Sequence, residues 1–418
     1  MKTLRIRNTK GRAGRRGAAL LYAAIIAIAM GGMCIALLGM NMSTTKVRVQ
    51  TQNSERAFYA AEAGLSDAFM QMDESLIAPP GTTPVTIGTP GAPVALGTSS
   101  YSVVISRIDS RSYSLASTGV DGRASERLEL VMSEKPTGFF QYAAFGSDGV
   151  LLNSNSFIDS YDSALGTYDS QVQGGNDFAR ENGTVGSNGD IRLRANTEVH
   201  GDAVPGPGHV VDDSASNVYI SGSTEPADQP FPMPPIEVPS FPSAGNMVGN
   251  STVTLGPGPI HYSSIRMMGG STLRIVGPAQ FVVDDFTMRS NTNLILDSTN
   301  GKIEVYGTGN FVLESNSTVT TVSNSAVDVA LLLSGNNQAP GGTNRITLSS
   351  NSDFIGAIYA PNAAFRLGSN FDIYGSIICD YLDLASYGEI HFDEALLYDG
   401  WGSTDDYEPA LWHRLPRE

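Results

Sequence analysis

The stretch MRSNTNLIL (residues 288–296) recurs in altered form along this 418-residue chain. The related stretches are LNSNSFI (152–158), LRANTEV (193–199), MGGSTLRI (268–275), LESNSTVTTV (313–322), LSSNSDFIGAIYA (348–360) and LGSNFDIYGSII (367–378). Each has an apolar residue, a polar or small pair that mostly ends in Asn, and then alternating apolar residues. Aligned on Gly270, Asn291, Asn316, Asn351 and Asn370, the later copies are spaced by 21, 25, 35 and 19 residues.

A repeat of about 20 residues with short strands and Asn or Gly turns is typical of stacked coils, in which no single coil buries its own apolar face. We therefore predict a parallel β-helix or related β-solenoid over residues 139–398. Val, Ile and Leu would fill its core. The turn asparagines, with Asn155 and Asn196 in the earlier copies, would stack on one another or adopt left-handed backbone conformations.

A proline-rich segment at about residues 202–243 interrupts the repeats, with seven prolines between Pro226 and Pro242. This composition favours an extended strap over further coils. The repeats on both sides indicate an insertion within one solenoid. Two separate domains joined by a linker are the alternative.

The N-terminus has the charge pattern of a membrane protein. Residues 1–17 form a basic leader with seven cations and no acid, and AALLYAAIIAIAMGGMCIALLGM (residues 18–40) carries no charge. At ~1.5 Å per residue this segment spans ~34 Å, enough to cross a bilayer core of ~30 Å. Because basic residues remain on the cytoplasmic side, we expect the N-terminus inside and the rest of the chain outside. The alternative is a cleaved signal peptide, whose apolar core is shorter.

The helical pattern continues past the apolar segment through SERAFYAAEAGLSDAFMQM (residues 54–72). Small and apolar residues recur there at three- and four-residue steps, which predicts one packing face: Ala57, Ala60, Ala61, Gly64, Leu65, Ala68 and Met72. One helix over residues 18–78 would join the membrane segment to this stem, and Pro79 and Pro80 would end it.

Alternating apolar and polar residues follow the stem, between residues 95 and 134. The stretches YSVVISRI, SYSLASTG and RLELVM predict a three-stranded antiparallel sheet with one apolar face. Such a sheet needs cover, and the stem face would supply it. The predicted fold class is therefore α+β followed by all-β, with residues 399–418 as a C-terminal tail.

The series RRGAALL, one apolar segment and SERAFYAAEAGLSDA resembles the N-terminal region of PilX-like minor pilins and type IV pilus assembly proteins, over residues 12–134. The resemblance implies cleavage by a prepilin peptidase between Gly17 and Ala18, and pilin-like subunits or the pilus assembly machinery as partners. Tyr22 stands where major pilins carry a glutamate, as in minor or accessory members. The repeats, including SYDSALGTY and GAIYAPNAAFRLGSNFDIYGSIICDYLDL, look like the uncharacterised β-solenoid domain that accompanies PilX-type N-termini.

Catalytic residue patterns are weak in this chain. A glycosidase would need two carboxylates facing one groove, and the candidate pairs are Asp159 with Asp162, Asp284 with Asp285, Asp380 with Asp383, and Asp393 with Glu394. Adjacent acids on a strand point to opposite faces, and solvated turns explain the other pairs equally well. The five histidines have no metal-ligand spacing. We expect no catalytic residue, no metal site and no cofactor.

The formal net charge of −16 argues against nucleic acid as a partner. We expect a non-enzymatic single-pass protein of the bacterial inner membrane, of the type IV pilin-like kind, with an extracytoplasmic solenoid head. That head would make structural or adhesive contacts with surface polysaccharide or protein. The alternatives are an anchored surface protein outside any pilus and an anchored polysaccharide-active enzyme.

Overall fold

The computed structural model describes residues 14–136, 138–172, 174–175, 177–314, 316–323, 325–335, 346–348, 352–399, 401 and 406–416. Residues 1–13 of the predicted leader and Asn351 of the repeats lie outside this part of the chain. The chain forms two compact units. The first comprises Met1–Ser133 with Tyr407–Glu418, and the second comprises Glu134–Asp406.

The helices are α1 (Gly14–Asp73), α2 (Tyr168–Gln171), a 3₁₀ helix (Ala326–Asp328) and α3 (Leu396–Asp399). The strands are β1 (Val85–Ile87), β2 (Val94–Leu96), β3 (Ser99–Arg107), β4 (Ser112–Asp121), β5 (Ala124–Glu134), β6 (Ala144–Leu152), β7 (Phe157–Tyr161), β8 (Val185–Ser187), β9 (Asp190–Leu193), β10 (Glu198–Val199), β11 (Ala203–Val204), β12 (Val211–Asp212), β13 (Tyr219–Ile220), β14 (Asn246–Gly249), β15 (Thr252–Leu255), β16 (Gly258–Met267), β17 (Thr272–Val276), β18 (Ala279–Met288), β19 (Asn293–Asp297), β20 (Ile303–Gly307), β21 (Phe311–Leu313), β22 (Thr318–Val322), β23 (Val329–Leu333), β24 (Ile346–Leu348), β25 (Ser352–Leu367), β26 (Phe371–Leu384), β27 (Glu389–Asp393) and β28 (Tyr407–Arg414).

Helix α1 is continuous from Gly14 to Asp73, which confirms the long N-terminal helix. Among the described residues it is the one helix long and apolar enough to cross a membrane. The predicted end near residue 78 is wrong by several residues, because Ser75 adopts a left-handed conformation (φ 53°). Leu76 N–H then donates to Gln71 O (2.9 Å) and Ser75 N–H to Met72 O (3.0 Å). This capping motif ends the helix before the prolines are reached.

The antiparallel sheet of the first unit contains six strands, so the prediction of three was incomplete. The predicted strands are β3, β4 and β5, paired antiparallel in that order. Strands β1 and β2, three residues each, both pair with β3. They are too short to show an alternating pattern. Strand β28 lies beside β5 and comes from the predicted tail, a long-range pairing that no local pattern reveals.

The second unit consists mainly of parallel strands, as the repeats predicted. One sheet contains 18 strands, and a second contains β15, β17, β19 and β22. In the second sheet Leu273, Leu294 and Val319 occupy equivalent positions on neighbouring strands, and all three are buried. The rings of Phe286 and Phe311 stack in the same way, with centroids 4.6 Å apart. Each apolar side chain therefore covers the equivalent one on the next strand.

The turn asparagines behave as the repeats predicted. Those with positive φ include Asn155, Asn196, Asn291, Asn316 and Asn370. The side-chain amide of Asn196 donates to the Oδ1 of Asn155 (3.0 Å), and that of Asn316 donates to the Oδ1 of Asn291 (3.4 Å). Asparagine tolerates the left-handed region better than other residues with a Cβ. Its side chain can also repeat a hydrogen bond from one turn to the next.

The proline-rich segment contains the two-residue strands β11, β12 and β13 and then no helix or strand over residues 221–245. Phe231, Met233 and Phe241 pack against the core of the second unit. The side chain of Asn188 accepts a hydrogen bond from Phe231 N–H (2.7 Å) and donates one to Phe231 O (2.9 Å). The segment therefore lies fixed along its own unit, with parallel strands of the same sheet before and after it.

Candidate functional site

The outer half of α1 packs on the antiparallel sheet through the face that the sequence indicated. All seven predicted residues are buried: Ala57, Ala60, Ala61, Gly64, Leu65, Ala68 and Met72. Ala61, Leu65, Ala68 and Met72 share one apolar core with Val103, Ile105 and Leu115 of the sheet. The Oδ2 of Asp67, beside this face, accepts a hydrogen bond from the hydroxyl of Tyr101 (2.8 Å). Burial and this carboxylate raise the pKa of Tyr101 to about 12.

The small residues of this face allow the backbone of α1 to contact the backbone of β4. A Cβ added to Gly119 of β4 would lie 2.0 Å from the carbonyl oxygen of Ala57 and 2.4 Å from the nitrogen of Ala61. A Cβ on Gly64 would lie 2.5 Å from the Oγ of Ser117. No local sequence pattern marks Gly119, because glycine is needed there only when the helix packs against the strand. Because the chain's own sheet covers the face, these residues are not free to pack against neighbouring stems.

The N-terminal half of α1 is different. Every described side chain from residue 20 to residue 52 is exposed, including Leu21, Ile28 and Leu38. Gly17 and Ala18, the predicted processing site, lie in the first turns of the same helix. A single helix thus has one half with no cover from the described chain and another half buried under a sheet.

Two of the candidate acid pairs meet at strands β7 and β27 of the second unit. These strands are parallel neighbours, with His391 opposite Asp159 and Asp393 opposite Tyr161. The Oδ1 of Asp159 lies 2.6 Å from the Nδ1 of His391, and both side chains are almost fully buried. Tyr168 donates to the Oδ2 of Asp159 (2.9 Å). Both carboxylate oxygens of Asp159 therefore have a hydrogen-bond partner.

His391 is held as a buried cation. Its Nε2 lies 3.3 Å from the Oε2 of Glu389, and the ring of Tyr168 lies 4.0 Å from its own, centroid to centroid. Burial alone lowers the pKa of His391, but the hydrogen bonds to Asp159 and Glu389 outweigh it and raise the pKa to about 9. On the neighbouring strand, burial and the charge of Glu389 raise the pKa of Asp372 to about 6.

Glu394 and Asp393 bind other segments of the chain. Glu394 accepts hydrogen bonds from Ser160 Oγ (2.9 Å) and Asn182 Nδ2 (2.9 Å), and it forms an ion pair with Arg180. Asp393 accepts hydrogen bonds from the backbone N–H groups of Ser163, Ala326 and Ala395 at 2.9–3.1 Å. Burial raises the pKa of Asp393, while these three donors stabilise its charged form.

Four of the five remaining candidate acids are also engaged by their own surroundings, and burial raises the pKa of the fifth, Asp380. Asp284 accepts from the hydroxyl of Thr308 (2.8 Å) and Asp285 from the side-chain amide of Asn310 (3.0 Å). Asp383 accepts from Asn153 (2.9 Å). Asp162 accepts from the N–H of Ala164 (3.0 Å). Within the described part of the chain, no group of three His, Cys, Asp or Glu side chains has the geometry of a metal site.

The Asp159–His391 pair was missed because the two residues are separated by 232 positions in the chain. A signal was nevertheless present in the repeats. The short stretches FID (157–159), EVH (198–200) and EIH (389–391) occupy equivalent strand positions, with Phe157 opposite both Glu198 and Glu389. When the repeats are aligned by their strands instead of by their turns, Asp159 falls at the same position as a histidine.

The similarities to solved structures are weak. One is the competence-associated pilin ComZ from Thermus thermophilus, with 14% identity, a TM-score of 0.27, and coverage of 87% of this chain and 97% of that one. Another is an ice-binding protein from the Antarctic ascomycete Antarctomyces psychrotrophicus, with 13% identity, a TM-score of 0.29, and coverage of 62% and 97%. A search of curated proteins finds no match.

A family match covers much of the parallel-strand unit. It extends over residues 190–398, from the start of β9 through α3, and the description of the family names no activity. The matched residues make up half of the chain, so this protein belongs to the family described as Domain of unknown function (DUF7305).

Proposed function

We propose that this protein is a non-enzymatic, single-pass envelope protein of the type IV pilin-like kind. Its N-terminus would lie in the cytoplasm of a bacterium, α1 would cross the inner membrane, and the remainder would be extracytoplasmic. The observation that carries the proposal is the division of α1. Its exposed apolar half continues without a break into the half buried under the antiparallel sheet. The pilin-like residues around Gly17 and in SERAFYAAEAGLSDA support the same assignment.

We further propose that the parallel strands close into a β-solenoid that serves as a head for structural or adhesive contacts. The stacked apolar residues and the asparagine hydrogen bonds support this, because both repeat from one strand to the next. The proposal that the head is not an enzyme rests on the candidate acids. Asp159, Asp393 and Glu394 each have their oxygens engaged by the protein itself, which is the role of structural carboxylates.

The test is the mature N-terminus of the full-length protein recovered from membrane and sheared-filament fractions. Mass spectrometry is expected to find a chain that begins at Ala18. Gly17→Val is expected to leave the leader uncut and to remove the protein from the filament fraction. Gly31→Val is the matched control, since a Cβ at Gly31 meets nothing within 4 Å. An intact Met1 in wild-type protein from the envelope would contradict the pilin-like assignment.

A further inference from the structure

A cleft lies where α1 meets the turn between β4 and β5. Residues 45–54 of the helix form one wall and residues 122–125 form the other, and together they enclose about 950 Å³. Sites for small molecules commonly have ~300–1,000 Å³. We call it the neck cleft. The turn approaches the helix closely, since a Cβ on Gly122 would lie 3.3 Å from the Nδ2 of Asn53.

The neck cleft is cationic although the protein is acidic overall. Lys46 and Arg123 line it, together with the neutral donors Gln50, Asn53 and Ser125. No acidic residue lines it. Within the described part of the chain, neither Lys46 nor Arg123 has an ion-pair partner closer than 4 Å. This arrangement favours a ligand with a negative charge and several hydrogen-bond acceptors.

The acids on either side of the turn are already engaged elsewhere. Asp121, just before the turn, accepts a hydrogen bond from Ser99 (3.2 Å) and lies 4.0 Å from Arg56. Glu126, just after it, pairs with Arg414. The charge of Lys46 and Arg123 is therefore not neutralised by the carboxylates on either side of the turn.

The position of Lys46 along α1 identifies the kind of anion. Residues 17–45 carry no charge, and Lys46 is the first charged residue after Arg16. At ~1.5 Å per residue, the uncharged length is about 44 Å. A bilayer measures about 40–45 Å with its headgroup layers included. If the start of this uncharged segment, where cleavage would leave the amino group of Ala18, lies among the headgroups of one leaflet, Lys46 lies among those of the other.

We propose that the neck cleft binds the phosphate headgroup of an anionic phospholipid from the outer leaflet of the membrane that α1 crosses. Lys46 and Arg123 would pair with the phosphate from the helix and from the turn. Gln50, Asn53 and Ser125 would donate to the remaining polar atoms of the headgroup. This rests on the proposed single-pass function, since it needs α1 in a bilayer. The bound lipid would fix the height of the antiparallel sheet above the membrane.

The test uses the full-length protein, purified in mild detergent and mixed with phosphatidylglycerol or phosphatidylcholine. Native mass spectrometry measures how much of each lipid stays bound. Wild-type protein is expected to retain phosphatidylglycerol in preference to phosphatidylcholine. Each neck-cleft cation is worth about a fivefold change in affinity for an anionic lipid, so Lys46→Gln with Arg123→Gln should lower retention by more than tenfold.

Arg48→Gln is the matched control. It removes the same charge two residues from Lys46, at nearly the same height, but Arg48 does not line the cleft. This variant is expected to retain phosphatidylglycerol like the wild type. Equal loss in Arg48→Gln and Arg123→Gln would show general charge attraction and overturn the proposal. So would displacement of the lipid by inorganic phosphate at millimolar concentration, which would assign the cleft to free anions.

Flotation with pure phosphatidylcholine vesicles separates this proposal from the proposed function. Insertion into these vesicles needs the apolar half of α1 but no anionic headgroup. Protein that fails to float would contradict both proposals. Protein that floats, together with a double variant that still retains phosphatidylglycerol like the wild type, would overturn the lipid site alone.

Discussion

In the helix–sheet unit, Gly119 brings a strand against the backbone of α1, whereas in the parallel-strand unit Leu294 lies between two equivalent apolar residues. The first packing depends on the absence of side-chain atoms at one contact. The second depends on the repetition of similar side chains over many strands. A single added carbon should therefore disturb the first unit most, while the second should tolerate change at a turn.

The largest effect is expected from Gly119→Ala. The new Cβ would lie 2.0 Å from the carbonyl oxygen of Ala57. Because this oxygen belongs to the helix backbone and has no alternative rotamer, the helix and the sheet must separate. We expect a loss of about 3 kcal/mol in the free energy of unfolding of this unit. Hydrogen exchange of peptides from β3 to β5 measures it. Gly91→Ala is the control, because nothing lies within 4 Å of a Cβ there. Unchanged exchange in Gly119→Ala would contradict the close contact.

A smaller effect is expected from Asp159→Asn in the second unit. The change leaves the buried His391 with only the half-exposed Glu389 as a charged partner. Removing one member of a buried ion pair costs ~3–5 kcal/mol, and the remaining partner reduces this to about 2 kcal/mol. Faster hydrogen exchange of the segment that carries Tyr168 would report it. Asp285→Asn, on an exposed residue, serves as control, and an equal effect in the two variants would contradict the account.

The same pair predicts how the stability of the second unit depends on pH. The pKa of His391 is raised from its ordinary 6.5 to about 9, so the folded state binds a proton more tightly than the unfolded chain. The stabilisation is therefore complete below pH 6.5 and is lost as the pH rises through about 9. Asp372, with its pKa near 6, is already mostly ionised in this range.

Urea unfolding between pH 6.5 and 9.5 measures this dependence. The midpoint is expected to fall with rising pH in the wild type and to fall less in His391→Gln. Identical slopes in the two proteins would contradict the role of His391 as a buried cation.

The smallest effect is expected at an asparagine turn. Asn196→Ala keeps a Cβ in the left-handed region and removes two hydrogen bonds between turns, one to Asn155 and one from Asn217, which costs about 1–2 kcal/mol. Asn196→Gly removes the same hydrogen bonds but relieves the backbone, so it should cost less. Thermal unfolding of the two variants compares them. A larger loss in Asn196→Gly would contradict this account of the turn, because it would show that a Cβ in the left-handed region costs nothing at this position.

The parts of the fold that local patterns determine were predictable. Alternation identified β3, β4 and β5, and the repeated Asn turns identified the parallel strands. Strand β28 was not predictable, because it lies beside β5 although Arg414 follows Glu126 by 288 positions in the chain. The end of α1 was misjudged because a serine, which rarely adopts positive φ, closes the helix before the prolines.

The candidate site was predictable only in part. The stem face follows from helical periodicity, and the structure buries all seven of its residues. The partner of Asp159 could not be predicted from the sequence, because only the register of β7 and β27 places His391 beside it. The cations of the neck cleft lie 77 residues apart, one on a helix and one on a turn, so only the fold brings Lys46 and Arg123 to one cleft.

The central claim is that the first half of α1 remains in the mature protein and crosses a bilayer. The two natural cysteines test it, because Cys34 lies in the middle of that half and Cys379 is buried in the second unit. The measurement is labelling of the mature protein in lipid vesicles by a membrane-impermeant maleimide, before and after full denaturation. Gln52→Cys is the positive control for an exposed position outside the membrane. We expect neither Cys34 nor Cys379 to be labelled in intact vesicles, and both to be labelled after denaturation. Labelling of Cys34 in intact vesicles, or a single thiol after denaturation, would contradict it.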